Sequence, residues 1–176
     1  MDAPPDPGRL PEGRQRVAAL YEAHALGLVK LAKIMLGDQA QAEDIVHDAF
    51  LGLYRKWPLR DQDRALGYLR ASVLNGCRAV HRGQTRRDRA LLFFQKADDI
   101  ASAEESALIG EDNRAMMAAL RALPARQREA VVLRYYLDLT EAQAAEAMHV
   151  ARGTVKSATS RGLAALARML KEGEVR

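Results

Sequence analysis

The chain has 176 residues, of which 28% are charged and only 5% are aromatic, with a net charge of +4. This composition favours amphipathic helices over a β-sandwich, and the net charge permits nucleic-acid binding without requiring it. The single cysteine excludes an internal disulfide and suits a reducing compartment, and no run of about 18 apolar residues predicts a membrane span, so we expect a cytoplasmic protein without membrane insertion.

The N-terminal half is predicted to be a helical domain preceded by a disordered arm. Residues 1–13 are rich in proline, which cannot hold a helix interior. Apolar spacing predicts a first helix from about Arg14 to the stop at Gly37. We assign residues 14–87 to this domain.

Two further helices complete that domain. Asp38 and Gln41 have the spacing of a capping box, which predicts a second helix over 39–57. After a polar turn, a third helix is expected from about 64 to 82.

The C-terminal half is predicted to be a second helical domain. Residues 88–113 lack a steady apolar period and are typical of a flexible linker. Helical pattern then resumes over 114–172, with a capping box at Thr140 and Gln143 opening a short helix. A short helix, a tight turn and a longer helix predict a helix-turn-helix, so the expected fold is all-α with two small domains.

The last helix should present an acid-free polar arc opposite its apolar side. Short hydrogen-bonding side chains and cations in this position are typical of phosphate and base-edge contacts, although a merely solvated face remains an alternative. The candidate DNA-binding residues of this arc are Arg152, Thr154, Lys156, Ser157, Ser160 and Arg161.

A different polar stripe is predicted on the third helix. An aromatic ring, an amide and successive arginines suit unpaired bases, because the ring stacks, the amide reads a base edge and the cations follow the backbone. Solubilising arginines would give the same pattern. The candidate residues are Tyr68, Asn75, Arg78 and Arg82.

The second helix should carry a leucine ringed by charges, which resembles a small protein interface with a polar rim. A singly exposed leucine is common, so this interpretation competes with an ordinary surface. The candidate residues are Asp44, His47, Asp48, Leu51 and Arg55.

Catalysis and cofactor binding have little support in the sequence. Cys77 and His81 are four residues apart, but Cys77 falls on the apolar side of its helix, and no second ligand pair is present. No phosphate-binding glycine loop or serine elbow is found. We expect no catalytic residues, no metal and no cofactor.

Several motifs, taken together and in order, resemble those of an extracytoplasmic-function (ECF) sigma factor of the bacterial sigma-70 family. These are "QAEDIVHDAFLGLYRKW", the helix with Asn75, "LRALPARQREAVVLRYYLDLT" and "ARGTVKSATSRGLAAL". The resemblance covers about residues 14–172. It implies an alternative sigma factor that is not an enzyme.

The resemblance also implies partners for each surface. The first domain of this family grips the clamp helices of core RNA polymerase and captures melted −10 promoter bases. The second reads the −35 element and rests on the polymerase flap, while the linker threads toward the active site. An anti-sigma factor is a further partner that the family often has.

Three residues of the second domain depart from the family pattern, and Tyr68 of the first domain stands where tryptophan is frequent. Ala151 stands where serine often caps the recognition helix, Ala158 where arginine is frequent, and His149 where the turn usually has glycine. We expect the first change to cost about 1 kcal/mol, the second to remove a DNA contact, and the third to be tolerated.

The mechanism expected from these features has two weak DNA contacts on a flexible tether. Core polymerase would fix the separation of the domains and turn two contacts into one effective site. A symmetric helix-turn-helix dimer acting without polymerase, or a sigma-mimicking protein that sequesters anti-sigma factors, are the alternatives.

Overall fold

The computed structural model describes residues 12–57, 64–91 and 111–174, and every regular element in these ranges is helical. The described elements are α1 (Glu12–Leu36), α2 (Gln39–Arg55), α3 (Ala65–Leu91), α4 (Glu111–Ala122), α5 (Ala125–Val131), a π-helical turn (Val132–Tyr136), α6 (Glu141–Met148) and α7 (Arg152–Glu174). The all-α fold is therefore confirmed. No helix in the described ranges has the length and apolarity needed to cross a membrane. The arm before residue 12 and linker residues 92–110 lie outside the described residues.

The helix boundaries of the N-terminal unit, α1–α3, follow from local residue chemistry. Gly37 has φ +79°, a left-handed conformation that ends α1 at little cost for glycine. The Asp38 carboxylate accepts a hydrogen bond from the Gln41 backbone N–H (2.9 Å), which confirms the predicted N-cap. The Gln41 side chain donates to that same carboxylate (3.1 Å).

Helix α3 is longer than the sequence predicts, because it continues past Arg82 to Leu91. The intervening residues are mostly arginines and other tolerated helix formers, and no proline interrupts them. Gly83 is the weak point, but a single glycine costs only about 1 kcal/mol in a helix.

The helix-turn-helix consists of α6, the turn at His149 and α7. A complete capping box starts α6: the Gln143 backbone N–H donates to Thr140 Oγ1 (3.2 Å), and the Thr140 N–H donates to Gln143 Oε1 (2.9 Å). His149 adopts φ +54°, so the left-handed turn expected there is confirmed. The Ala151 carbonyl accepts from the backbone N–H groups of Thr154 and Val155, and its methyl side chain offers no hydroxyl cap.

Close packing of α7 against α5 fixes the C-terminal unit, α4–α7. A Cβ added at Gly162 would lie 2.7 Å from Val131 Cγ2 and 3.3 Å from the Gln127 carbonyl oxygen, so only glycine allows this approach. Ala158 is 3% exposed, which corrects the expectation that this position faces DNA. Its one-turn offset from Val155 and Gly162 places it on the packed side of α7.

The two units pack against each other. One continuous cluster of buried residues includes Leu31 and Leu69 of the N-terminal unit and Leu133 and Met148 of the C-terminal unit. The contacts run from α3 to α6 and from α1 to α4. A second, smaller cluster around Leu166 belongs to the C-terminal unit alone. The sequence predicts two separate cores, whereas the structure joins them, and this arrangement determines which surfaces remain open.

Candidate nucleic-acid and protein interfaces

The polar arc of α7 is exposed along its whole length. Its six predicted members are all exposed: Arg152, Thr154, Lys156, Ser157, Ser160 and Arg161. They are held outward because Val155, Thr159 and Leu166 of the same helix are buried. Arg161 Nε donates to the Ser157 carbonyl oxygen (3.2 Å), a contact within α7 that keeps the guanidinium on the surface. An exposed row of hydroxyls and cations can bind phosphates and base edges together.

The polar stripe of α3 is less accessible. Asn75 and Arg82 are exposed, but Tyr68 and Arg78 are half-buried. The Lys56 ammonium lies 4.9 Å from the centre of the Tyr68 ring, so a cation already occupies one aromatic face. The stripe is formed as predicted on one side of α3, yet parts of it are already in contact with other residues.

The strongest of these contacts joins Arg78 to Glu129 of α5. Arg78 Nε donates to Glu129 Oε1 (2.7 Å), and Nη2 donates to Oε2 (2.6 Å). The third nitrogen, Nη1, donates to Asn75 Oδ1 (3.0 Å). The side chains are only 18% and 1% exposed, respectively. Hydrogen bonding to Glu129 raises the pKa of Arg78 above its ordinary value, so the guanidinium is held charged.

Sequence reasoning missed Glu129. One signal was available, because Glu129 lies three and four residues before Val132 and Leu133 and therefore shares their apolar face. An acid on such a face needs a buried cation as a partner. The partner is 51 residues away along the chain, so periodicity alone does not identify it.

Other polar groups surround this ion pair at the junction of the units. Burial raises the pKa of the Cys77 thiol to about 12, and the nearby Glu129 carboxylate adds to the effect. Arg128 is 6% exposed and places Nη2 3.1 Å from His81 Nε2. Burial lowers the pKa of Arg128. The junction is therefore charged as well as apolar.

The predicted arc of α2 is exposed throughout. Its members are Asp44, His47, Asp48, Leu51 and Arg55, with Leu51 37% exposed at its centre. Asp44 and His47 also line an open groove of about 630 Å³ between α1 and α2.

Two residues of that groove were not predicted from the sequence. Tyr21 is 48% exposed and Leu26 is 68% exposed, and both lie on α1 beside the acidic Glu22 and Glu43. Leu28 and Leu31 belong to the buried face of α1, and Leu26 lies off that face. The helical spacing of Leu26 from these two leucines is the signal that could have identified it as exposed. The combined surface is apolar at its centre and acidic at its edge.

The Cys77 and His81 pair does not form a metal site. Cys77 is buried, and His81 Nε2 lies 3.1 Å from the Met35 carbonyl oxygen. Among the residues that the structure describes, no three histidine, cysteine or acidic side chains are grouped to hold a metal ion.

Family models match both units of the chain. The model described as "Sigma-70 region 2" matches residues 20–87, and the one described as "Sigma-70, region 4" matches residues 113–166. These ranges correspond to α1–α3 and to α4–α7, and together they cover well over half of the chain.

Curated relatives extend over most of the chain. The "RNA polymerase sigma-E factor" of Streptomyces avermitilis is 28% identical over 149 residues, which cover 84% of this chain and 81% of the relative. The "ECF RNA polymerase sigma factor SigM" of Mycobacterium tuberculosis is 32% identical over 152 residues, covering 86% of this chain and 75% of the relative.

Solved structures share the fold. The sigma factor RpoE in complex with the anti-sigma factor NepR from Bartonella quintana has a TM-score of 0.64 at 24% identity, covering 90% of this chain and 96% of that chain. CnrH in complex with the cytosolic domain of CnrY has a TM-score of 0.66 at 20% identity, covering 91% and 95%.

Proposed function

The chain belongs to the ECF branch of the sigma-70 family, and from this premise we propose how its surfaces divide the work of an alternative sigma factor in promoter recognition and transcription initiation. The family consists of non-catalytic initiation factors. We accordingly propose that this chain has no catalytic activity of its own and acts in the cytoplasm, where chemistry belongs to core RNA polymerase.

The arc of α7 is proposed to read the −35 element in the major groove of duplex DNA. The observation that carries this assignment is the row of six exposed, acid-free side chains at the start of the second helix of a helix-turn-helix. Such a helix enters the groove with its N-terminal residues toward the base edges. Lys156 and Arg161 would bind phosphates or guanine, and the hydroxyls would complete the contact.

The stripe of α3 is proposed to capture unpaired −10 bases. Tyr68 supplies a stacking surface, Asn75 an amide for a base edge, and Arg78 and Arg82 supply charge for the backbone. Capture costs a few kcal/mol of unstacking, which stacking and hydrogen bonds offset.

The exposed arc of α2, extended by the α1–α2 groove, is proposed to bind the clamp helices of core RNA polymerase. Its acidic edge, with Glu22, Glu43 and Asp44, favours a basic partner, and Leu51 with Leu26 supplies apolar contact area. The C-terminal unit would rest on the polymerase flap. An anti-sigma factor is a further proposed partner, because the similar sigma factor RpoE was solved in complex with the anti-sigma factor NepR.

One experiment tests the proposed function directly. Purified chain is mixed with core RNA polymerase and a library of randomised promoters, and the transcripts are sequenced. The expected result is a pair of enriched elements at fixed spacing near −10 and −35. Failure of the chain to associate with core polymerase at mild salt would contradict the proposal.

A parallel measurement separates the rival classes. A stand-alone regulator would sediment as a dimer and protect a palindromic site without polymerase. A sigma-mimicking protein would sequester anti-sigma factors and leave promoter selection unchanged.

A further inference from the structure

We propose that the packed arrangement of the two units is a self-masked state, in which the Glu129 carboxylate occupies the Arg78 guanidinium needed for −10 DNA. This inference rests on the proposed role of the α3 stripe. It adds that the free chain must separate its units before that stripe can meet unpaired bases.

Glu129 binds Arg78 through the same N–H donors that a nucleic acid would use. An arginine fork binds planar carboxylates, phosphates and guanine edges through the same pair of parallel N–H groups. Here Nε and Nη2 both donate to Glu129, and Nη1 donates to Asn75. Glu129 therefore takes the donor pair that DNA would use, and Arg78 takes the amide oxygen of Asn75.

Neighbouring contacts hold the same side of α3 against the C-terminal unit. Gly67 faces Glu146 of α6 closely enough that an added Cβ would lie 3.6 Å from Glu146 Oε1. Arg70 is partly buried and attracted by the same Glu146 carboxylate. The covered region of α3 therefore includes Gly67 and Arg70 as well as Arg78.

The energetics suit a contact that opens. A buried ion pair gains little net stability, because desolvation of both charges opposes their attraction. Arg128, at the same junction, has its Nε buried with no hydrogen-bond partner among the described residues. An unpaired buried donor is destabilising, and separation of the units would expose it to water and relieve that cost.

Two variants open the junction in independent ways. Glu129→Gln removes the charge while keeping the side-chain size, and Glu172→Gln on exposed α7 is its matched control. Gly67→Leu adds bulk against Glu146 without touching either member of the ion pair. Its control is Gly83→Leu on the same helix, where an added Cβ meets nothing within 4 Å among the described residues.

The full-length chain without polymerase is used for both readouts. The first is the rate at which N-ethylmaleimide modifies Cys77, the single cysteine, which is buried at the junction. The second is binding of a fluorescein-labelled pool of random single-stranded 15-mers by anisotropy. Thermal unfolding establishes that each variant is folded.

We expect both opening variants to react faster at Cys77 and to bind the oligonucleotides about tenfold more tightly, because apparent affinity rises with the fraction of competent molecules. Both controls should behave as the parent chain. The masking proposal is overturned if Cys77 reacts faster without a gain in binding, or if neither quantity changes.

Adding Arg78→Ala to each opened variant distinguishes this inference from the proposed −10 role. If the gain in binding disappears, Arg78 contacts DNA and was masked. If the parent chain already binds as tightly as the opened variants, and Arg78→Ala weakens all of them, the −10 role stands and masking fails. If Arg78→Ala leaves binding unchanged everywhere, the −10 role fails.

Discussion

The two proposed DNA-binding surfaces of this sigma factor differ in their availability. The α7 arc is open, and the hydrogen bonds of its Arg161 stay within its own helix. The α3 stripe is engaged, with Arg78 bonded to Glu129 of the other unit and Lys56 over the Tyr68 ring. The surface proposed for duplex DNA is therefore accessible when the two units are packed together, whereas the surface proposed for melted bases is not.

This difference teaches that charge patterning and accessibility are separate properties. Both surfaces have polar, cation-rich faces opposite apolar ones, and both were predicted from the same helical periodicity. Only tertiary contacts distinguish them. With the proposed roles, upstream duplex can be bound by the α7 arc before the α3 stripe is released.

The largest expected effect comes from the cluster shared by both units. Leu133→Ala removes a fully buried side chain and should lower the free energy of unfolding by about 2–5 kcal/mol. It should also speed Cys77 modification, because the same cluster spans the junction. Urea unfolding and thiol kinetics measure the two effects.

Leu166→Ala is the matched control for that variant. Leu166 belongs to the cluster confined to the C-terminal unit, so its loss should destabilise that unit without exposing Cys77. Equal acceleration of Cys77 modification by both variants would contradict the distinction between the clusters.

Charge reversal on the open surface has the next largest effect. Arg161→Glu should weaken binding of polymerase-bound sigma factor to −35 duplex by about 1–3 kcal/mol, through loss of a phosphate or base contact. Gel shifts measure this effect. Lys30→Glu makes the same charge change at an exposed position of α1 and should leave duplex binding near the parent value. Neither variant should lose polymerase binding in a pull-down. Loss of polymerase binding in Arg161→Glu would show that the arc contacts protein instead.

Alkaline pH should lower the free energy of unfolding, because the buried Cys77 thiol resists ionisation. Its pKa is raised from 9.0 to about 12 in the folded state, so folding favours the neutral thiol. This stabilisation is fully present below pH 9 and is lost as pH rises from 9 toward 12. At pH 10 the loss is about 1 kcal/mol, because a tenfold change in a protonation equilibrium corresponds to roughly 1.4 kcal/mol.

The pH effect is measured as the difference in unfolding free energy between pH 8 and pH 10. Cys77→Ser, whose hydroxyl does not titrate in this range, should lose less stability over the same interval. Identical losses in the two proteins would mean that the thiol is solvated, and hence that the junction is open in solution.

The smallest expected effect concerns the start of α7. Ala151→Ser supplies the hydroxyl cap that alanine lacks and should raise stability by roughly 0.5–1 kcal/mol. Ala164→Ser, at an exposed position inside the same helix, should lower stability by a few tenths of a kcal/mol because serine is a poorer helix former. Thermal melts compare the two. A gain from both would exclude capping as the cause.

Local features of the fold could be predicted from the sequence because they depend on near neighbours. The N-cap at Asp38, the capping box at Thr140 and the turn at His149 involve residues close along the chain. The exposed members of the α7 arc follow from helical period alone. The candidate site residues of α2, α3 and α7 all lie at exposed or half-buried positions, and their roles stay predictions.

The junction could not be predicted because its chemistry is non-local. Arg78 looks like an ordinary surface charge, and although Glu129 shares an apolar helix face, nothing local identifies a partner 51 residues away. Ala158 was expected at a DNA-facing position but is buried, because an alanine fits an exposed helix face and a tightly packed one equally well. Burial of small and charged residues depends on which helix lies opposite, and apolar periodicity does not contain that information.

The close approach at Gly162 has a consequence for how promoter preference can change. The tilt of α7 on its scaffold is determined by the absence of a methyl group, since any larger residue would collide with Val131 and the backbone at Gln127. A substitution there would change the tilt of α7 on α5 while leaving the side chains proposed to face duplex DNA chemically unchanged. Promoter preference could then change through the orientation of α7 as well as through the identity of its exposed side chains.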